Sequence, residues 1–239
     1  MSIKNILFDL DGTLLPMDQE EFIKAYFGLL AKRLAPCGYE PQALFEAIWS
    51  GTRAMVNNDG TLSNEAVFWN DFAARYGEQA RQDEAVFAAY YREDFDRVRS
   101  SCGYTPQAAE TIRRLKEGGY RLVLATNPIF PAVATEKRMA WAGLNKEDFA
   151  LYTTYENSHY CKPNPAYYRE ILEKLGMRAE ECVMVGNDAT EDLAAAELGM
   201  EVFLLTDCLI NKEHKALDSL PRGGFEDLWQ WLDGLHKDR

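Results

Sequence analysis

Asn5-Ile6-Leu7-Phe8-Asp9-Leu10-Asp11-Gly12-Thr13-Leu14 is the stretch on which the reading of the fold turns. Its first half is a short, continuous apolar run, the pattern of a strand covered on both faces. At its end stand two carboxylates two residues apart. Strand side chains alternate, so Asp9 and Asp11 face one side and Leu10 the other. Carboxylates that close repel unless a cation lies between them. Magnesium, which prefers hard oxygen ligands, suits that place. Gly12 permits a tight turn, and open α/β sheets bind ligands at the carboxyl ends of their strands. Taken alone, the same residues can also open a calcium loop or a simple turn.

Working outward, four more apolar runs read as buried strands: Arg121–Thr126, Ala150–Tyr155, Cys182–Gly186 and Glu201–Thr206, with the first strand taken as Asn5–Leu10. Helical patterns separate the last four, at Ala132–Ala142, Ala166–Leu175 and Thr190–Leu198. Gly143, Gly176 and Gly199 stand where those helices should stop. Strands alternating with helices mean βαβ units and a parallel sheet, an α/β Rossmann-like core with helices on both faces.

The segment from Pro16 to Arg99 breaks the alternation. Phe22, Tyr26, Leu29, Leu30 and Leu34 form one helical stripe, and a second helix is expected over Pro41–Trp49. A third is expected after Ser63 as N-cap, with Val67, Phe68, Phe72 and Tyr76 apolar, and a fourth over Glu84–Phe95. We therefore expect a core of residues 1–16 and 100–239 with an all-helical insert, 17–99, hinged at Leu15–Asp18 and Ser100–Thr105. The competing arrangement packs these helices on the sheet within one domain.

Composition bounds the function. Over 239 residues the net charge is −12, which disfavours nucleic acid and anionic membranes as partners. Five cysteines, none in C-x-x-C spacing, argue against a disulfide framework or thiolate zinc site and for a reducing compartment. The three histidines are scattered. The N-terminal residues resemble no signal peptide, and no run approaches a membrane span, so a cytoplasmic location is expected.

Three further segments carry chemistry. Leu122-Val123-Leu124-Ala125-Thr126-Asn127 puts a hydroxyl and backbone N–H groups at a strand end, where they suit a phosphoryl oxygen. Lys162-Pro163-Asn164-Pro165 offers a compact ammonium, able to screen carboxylates and a phosphoryl group. Val183-Met184-Val185-Gly186-Asn187-Asp188-Ala189-Thr190-Glu191-Asp192 ends a strand in acids four apart. Singly, each is commonplace: a strand-end threonine, a surface lysine, a helix cap.

In this order, the four segments resemble the signature motifs of the haloacid dehalogenase superfamily, in its phosphoglycolate-phosphatase-like branch with an inserted helical cap. The resemblance implies a magnesium-dependent phosphatase acting on a small phosphomonoester through an aspartyl-phosphate. It implies Asp9 as nucleophile, Asp11 as acid and base, and Lys162 as the balancing cation. Thr126, Asn127 and Lys162 would hold the phosphate, and Asp9, Asp11 and Asp188 the Mg2+. Asp192 would stand behind them, steadying Lys162. Asn187 stands where relatives commonly carry glycine, and it could add a water-mediated metal contact or, in another register, take the ligand position itself. Dehalogenases of the superfamily usually lack an aspartate at the place of Asp11. Phosphonatases need an insert lysine, for which only Lys24 and Lys32 are present. A sugar-phosphate mutase is the nearest rival enzyme, and a binding module without activity is the rival of a different class.

Substrate choice is expected to lie with the insert, above all Ser50–Leu62, where Arg53, Asn57, Asn58 and Asp59 are candidate contacts. The insert carries 14 acidic and 9 basic residues from Met17 to Arg99, which disfavours polyanions. Tyr26, Trp49 and Trp69 read as core rather than ligand platforms.

Overall fold

The computed structural model describes residues 2–237, so Met1, Asp238 and Arg239 of the expected core segments lie outside the described residues. In chain order the elements are β1 (Asn5–Phe8), α1 (Gln19–Leu34), α2 (Pro41–Val56), α3 (Asn64–Tyr76), α4 (Glu84–Ala89), α5 (Pro106–Glu117) and β2 (Arg121–Leu124). They continue with α6 (Ala132–Trp141), β3 (Leu151–Tyr152), α7 (Pro165–Leu175), β4 (Cys182–Gly186), β5 (Glu201–Leu205), β6 (Arg222–Gly223) and α8 (Phe225–Lys237).

The six strands form one parallel sheet in the order β3-β2-β1-β4-β5-β6. β1 is central, with Phe8 in register with Leu124 of β2 and Val185 of β4. Ile6 and Phe8 pack on one face with Leu122, Leu124, Val183 and Val185, while Leu7 packs on the other with Val123 and Met184. That two-sided burial is why the runs are continuous rather than alternating. The chain runs outward from β1 through β2 to β3 and then crosses back to β4 on the other side of β1, so the carboxyl ends of β1 and β4 lie at a topological switch.

Several expected elements differ in extent. β1 stops at Phe8, and Asp9 and Leu10 belong to the turn that follows. β2 and β5 stop short of Thr126 and Thr206, and β3 is only a two-residue strand. α2 runs to Val56, so half of the expected Ser50–Leu62 loop is helix. The fourth insert helix stops at Ala89 and passes through a π turn, Tyr90–Asp94, into a 3-10 segment, Phe95–Ser101. The helix expected over Thr190–Leu198 is a 3-10 segment from Leu193 to Leu198. A single turn precedes it: Asp192 N donates to Asp188 O at 2.9 Å, and Asp188 Oδ1 accepts from the N–H groups of Thr190 and Glu191 as a helix cap does. Asp192 Oδ2 accepts from the N–H groups of Asn187 and Asp188.

Ser63 caps α3 as expected, its Oγ accepting from Ala66 N at 3.2 Å. Segment 17–99 contains no strand, and its ends lie side by side. Met17 bridges to Cys102 and Gly103 N donates to Pro16 O at 2.7 Å. Among the described residues, no helix is long and apolar enough to cross a membrane.

Candidate active site

Asp9, Asp11, Thr126, Asn127, Asn187 and Asp188 emerge just beyond the carboxyl ends of β1, β2 and β4, while Lys162 stands shortly before α7. Asp9 N donates to Val185 O at 2.9 Å and Ala125 N to Phe8 O at 2.7 Å, so the ladder continues until the site begins. The turn after β1 closes through Leu10 O, which accepts from Thr13, Leu14 and Leu15. Gly12 takes φ +84°, and a side chain there would overlap the amide of Asn187. Asp9, Asp11, Thr126, Asn127, Asn187, Asp188 and Asp192 all line one cavity of about 690 Å³, bounded above by α1, α2, α3 and α4.

Lys162 lies beneath it, 1% exposed, with Nζ at 2.9 Å from Asp9 Oδ1 and 2.6 Å from Asp192 Oδ1. Burial alone would lower the lysine's pKa, but the attraction of Asp192 and Asp9 outweighs it and holds it well above its ordinary value. One lysine cannot neutralise two buried carboxylates. Burial pushes Asp9 up to about 7, against the pull of Lys162 and with repulsion from Asp192 and Asp11 added.

Asp192 thus contacts Lys162 through one oxygen and the Asn187 and Asp188 N–H groups through the other. It links lysine and loop. Gly186 makes room for it, since a side chain on Gly186 would overlap the Asp192 carboxylate. Asn187 is a brace. Its Oδ1 accepts from Thr13 Oγ1 at 2.8 Å, and its Nδ2 donates to Cys208 O at 2.7 Å. The Thr13 hydroxyl also lies 3.2 Å from Asp9 Oδ2. Thr126 O accepts from Thr153 Oγ1 at 2.6 Å and Tyr167 OH at 2.9 Å, which fixes the end of β2.

Two residues of the site stand outside the predicted set, one of them, Glu191, within the last motif segment. Arg138, on α6, is fully buried, forms an ion pair with Asp11 Oδ2 and places its guanidinium 4.5 Å from the Phe130 ring centroid. The repulsion expected between Asp9 and Asp11 is therefore answered from two sides, by Lys162 on one and Arg138 on the other. A signal for Arg138 existed: it shares the inward stripe of α6 with Ala134, Thr135 and Trp141. The second is Glu191, whose Oε1 accepts from Asn127 Nδ2 at 3.0 Å. Burial pushes it up to about 8, with Lys162 opposing and Asp192, Asp188 and Asp9 reinforcing the rise.

Among the described residues, no three acidic, histidine or cysteine side chains converge closely enough to hold a metal by themselves. Magnesium does not require that. It keeps several waters and takes one or two carboxylates together with substrate phosphate. The donor chemistry fits such an ion: Asp11 Oδ1 is buried without a hydrogen-bond partner, and Asp9 and Asp188 open on the same cavity.

Tyr26 and Trp69 are buried in the core, as their apolar spacing reads, and together with Trp49 they also border the cavity. Arg53, Asn57, Asn58 and Asp59 do not. Asn58 is buried and donates to Leu62 O and Asn64 Oδ1, Asn57 donates to Arg53 O, and Asp59 accepts from Thr61. Lys24 and Lys32 are exposed on α1, away from the cavity.

The family model of haloacid dehalogenase-like hydrolases matches residues 3–199. The phosphoglycolate phosphatase of Pectobacterium atrosepticum is 31% identical over 197 residues, covering 82% of this chain and 76% of that one. A phosphatase structure of this superfamily from Thermococcus onnurineus superposes with TM-score 0.60 at 20% identity, over 97% of this chain and 99% of that one. A 2-haloacid dehalogenase from Pseudomonas syringae superposes with TM-score 0.63 at 21% identity, over 96% and 99%. The two superpositions establish the fold alone, which hosts both chemistries.

Proposed function

The chain belongs to the haloacid dehalogenase-like hydrolases, and from that premise we propose that it is a magnesium-dependent phosphatase hydrolysing a small phosphomonoester through an aspartyl-phosphate on Asp9. The observation that carries the reading is the unlike pairing of two carboxylates on one cavity floor. Asp9 is held by Lys162, and Asp11 by Arg138 with one oxygen left without a partner. Unlike environments suit unlike roles, nucleophile for one and proton carrier for the other.

In the first half-reaction an Asp9 oxygen attacks phosphorus, the bond from phosphorus to the ester oxygen breaks, and Asp11 gives that oxygen its proton. In the second, water attacks the same phosphorus, Asp11 takes the water's proton, and phosphate leaves as the Asp9 carboxylate is restored. Lys162 balances charge at Asp9 throughout, while Thr126 and Asn127 hold phosphoryl oxygens. A magnesium ion held by Asp9, Asp11 and Asp188 would supply further charge neutralisation. Segment 17–99 acts as the cap over the site, and the enzyme works in the cytoplasm.

Asp9→Asn should abolish phosphate release from phosphomonoesters in magnesium buffer while circular dichroism stays that of the parent. Near-parental activity in that variant rules out Asp9 as nucleophile. Conversion of a sugar phosphate to a phosphorylated isomer, with no free phosphate, assigns a mutase instead.

A further inference from the structure

The wall of the cavity above Asp9 is unusual for a site that takes small anionic metabolites. Among the described residues, its lining includes no lysine, arginine or histidine. The nearby cations, Lys162 and Arg138, lie below the floor, are at most 1% exposed, and are already paired with Asp192, Asp9 and Asp11. The upper wall is aromatic: Phe22 and Tyr26 of α1, Trp49 of α2, and Phe68 and Trp69 of α3, with Phe130 from the segment after β2. The charges it does carry away from the floor are those of Glu65, Glu84 and Glu156. Burial pushes Glu65 above its ordinary range, and the charges of Glu156 and Glu84 add to the rise, as expected where no cation intervenes.

From this lining we infer that the substrate is the phosphomonoester of an apolar, ring-bearing alcohol without a second anionic group, whose organic part fills the aromatic cavity. The inference rests on the phosphatase reading and narrows it. A second carboxylate or phosphate on the substrate would leave water for a wall with no counter-charge, where burying an unpaired anion is costly. An aromatic ring would instead exchange water for ring faces and edges that it can stack upon. Size points the same way, because about 690 Å³ falls within the range of pockets that enclose drug-sized ligands. A two-carbon acid would leave most of it unfilled.

The test compares phosphomonoesters of primary alcohols, so that leaving-group reactivity is similar: benzyl phosphate, 2-phenylethyl phosphate, 4-carboxybenzyl phosphate, ethyl phosphate and 2-phosphoglycolate. Phosphate release is read with magnesium for the parent and for Trp49→Ala and Thr52→Lys. The expected kcat/KM for the two neutral aromatic esters exceeds that for 4-carboxybenzyl phosphate and 2-phosphoglycolate by about tenfold or more, a span that pocket contacts commonly supply. Trp49→Ala should narrow the preference for benzyl over ethyl phosphate. Thr52→Lys, which places an ammonium on the wall, should narrow that for benzyl over 4-carboxybenzyl phosphate. Equal or better turnover of 2-phosphoglycolate or the carboxylated ester overturns the inference and leaves the phosphatase reading standing. Release from none of the five esters removes both.

Discussion

At the scale of single residues, the site is a balance of buried charges in which each cation has specified partners. Lys162 spans Asp9 and Asp192, and Arg138 takes one oxygen of Asp11. Arg138 touches Asp11 rather than the cavity, so its expected part is to position that carboxylate. Arg138→Met should cost roughly 3 kcal/mol of stability, the lower end of the usual penalty for removing one partner of a buried pair, since Asp11 keeps 23% side-chain exposure. It should also lower kcat about tenfold or more with a smaller change in KM. Arg138→Lys should restore stability better than kcat, because an ammonium keeps the charge but not the planar fork. Thermal unfolding and steady-state kinetics check both. A normal kcat in a destabilised Arg138→Met makes the residue structural only.

At the scale of elements, the site depends on close approaches that few residues allow. β4 ends in Gly186, and its lack of a side chain admits the Asp192 carboxylate against the strand. Gly186→Ala should force Asp192 away from Lys162 and from the Asn187 and Asp188 N–H groups. The expected cost is about 1–3 kcal/mol, typical of overpacking, together with a fall in activity at least as large as that of Asp192→Asn. Denaturant unfolding with parallel rate measurements would show it, and an unchanged rate would mean that the loop relaxes without moving Lys162. The loop around Cys208 and Ile210 belongs to the same unit. Ile210 N donates to Asn187 O and Ile210 O accepts from Ala189 N, both at 2.8 Å, so the segment after β5 pins the acidic loop after β4.

At the scale of the molecule, carboxylates from β1 and β4 meet where the sheet's connections diverge, and the helical segment closes over them. Metal binding should therefore be visible in the stability of the whole protein. Adding magnesium to chelator-treated protein should raise Tm in a concentration-dependent way, as binding to the folded state alone requires, and restore phosphatase activity. Asp188→Asn should reduce both responses. Activity that persists undiminished in excess chelator would exclude a required magnesium ion.

The sequence by itself determined five of the six strands in their order, the parallel core, and the positions of Asp9, Asp11, Thr126, Lys162, Asp188 and Asp192 along it, while the helix Pro106–Glu117, the strand Arg222–Gly223 and the helix Phe225–Lys237 appear only in the structure. The legible features are local matters: apolar runs, helix-stopping glycines and polar residues at strand ends follow from short-range chemistry. Lys162 contacting Asp192 was legible for a related reason, because the resemblance ties both to one site. Tertiary structure decided the rest. It set an open cavity against the aromatic residues Tyr26, Trp49 and Trp69, of which Tyr26 and Trp69 are also buried core, since helical spacing tells which side of a helix is apolar but not whether another chain segment or an open space lies against it. It drew Arg138 from an inward helix stripe to Asp11, 127 residues away along the chain. It also reduced the helix expected from Thr190 to a single turn followed by a 3-10 segment, Leu193–Leu198. Patterning along a chain specifies which residues leave water, whereas packing between distant segments specifies what they meet when they do.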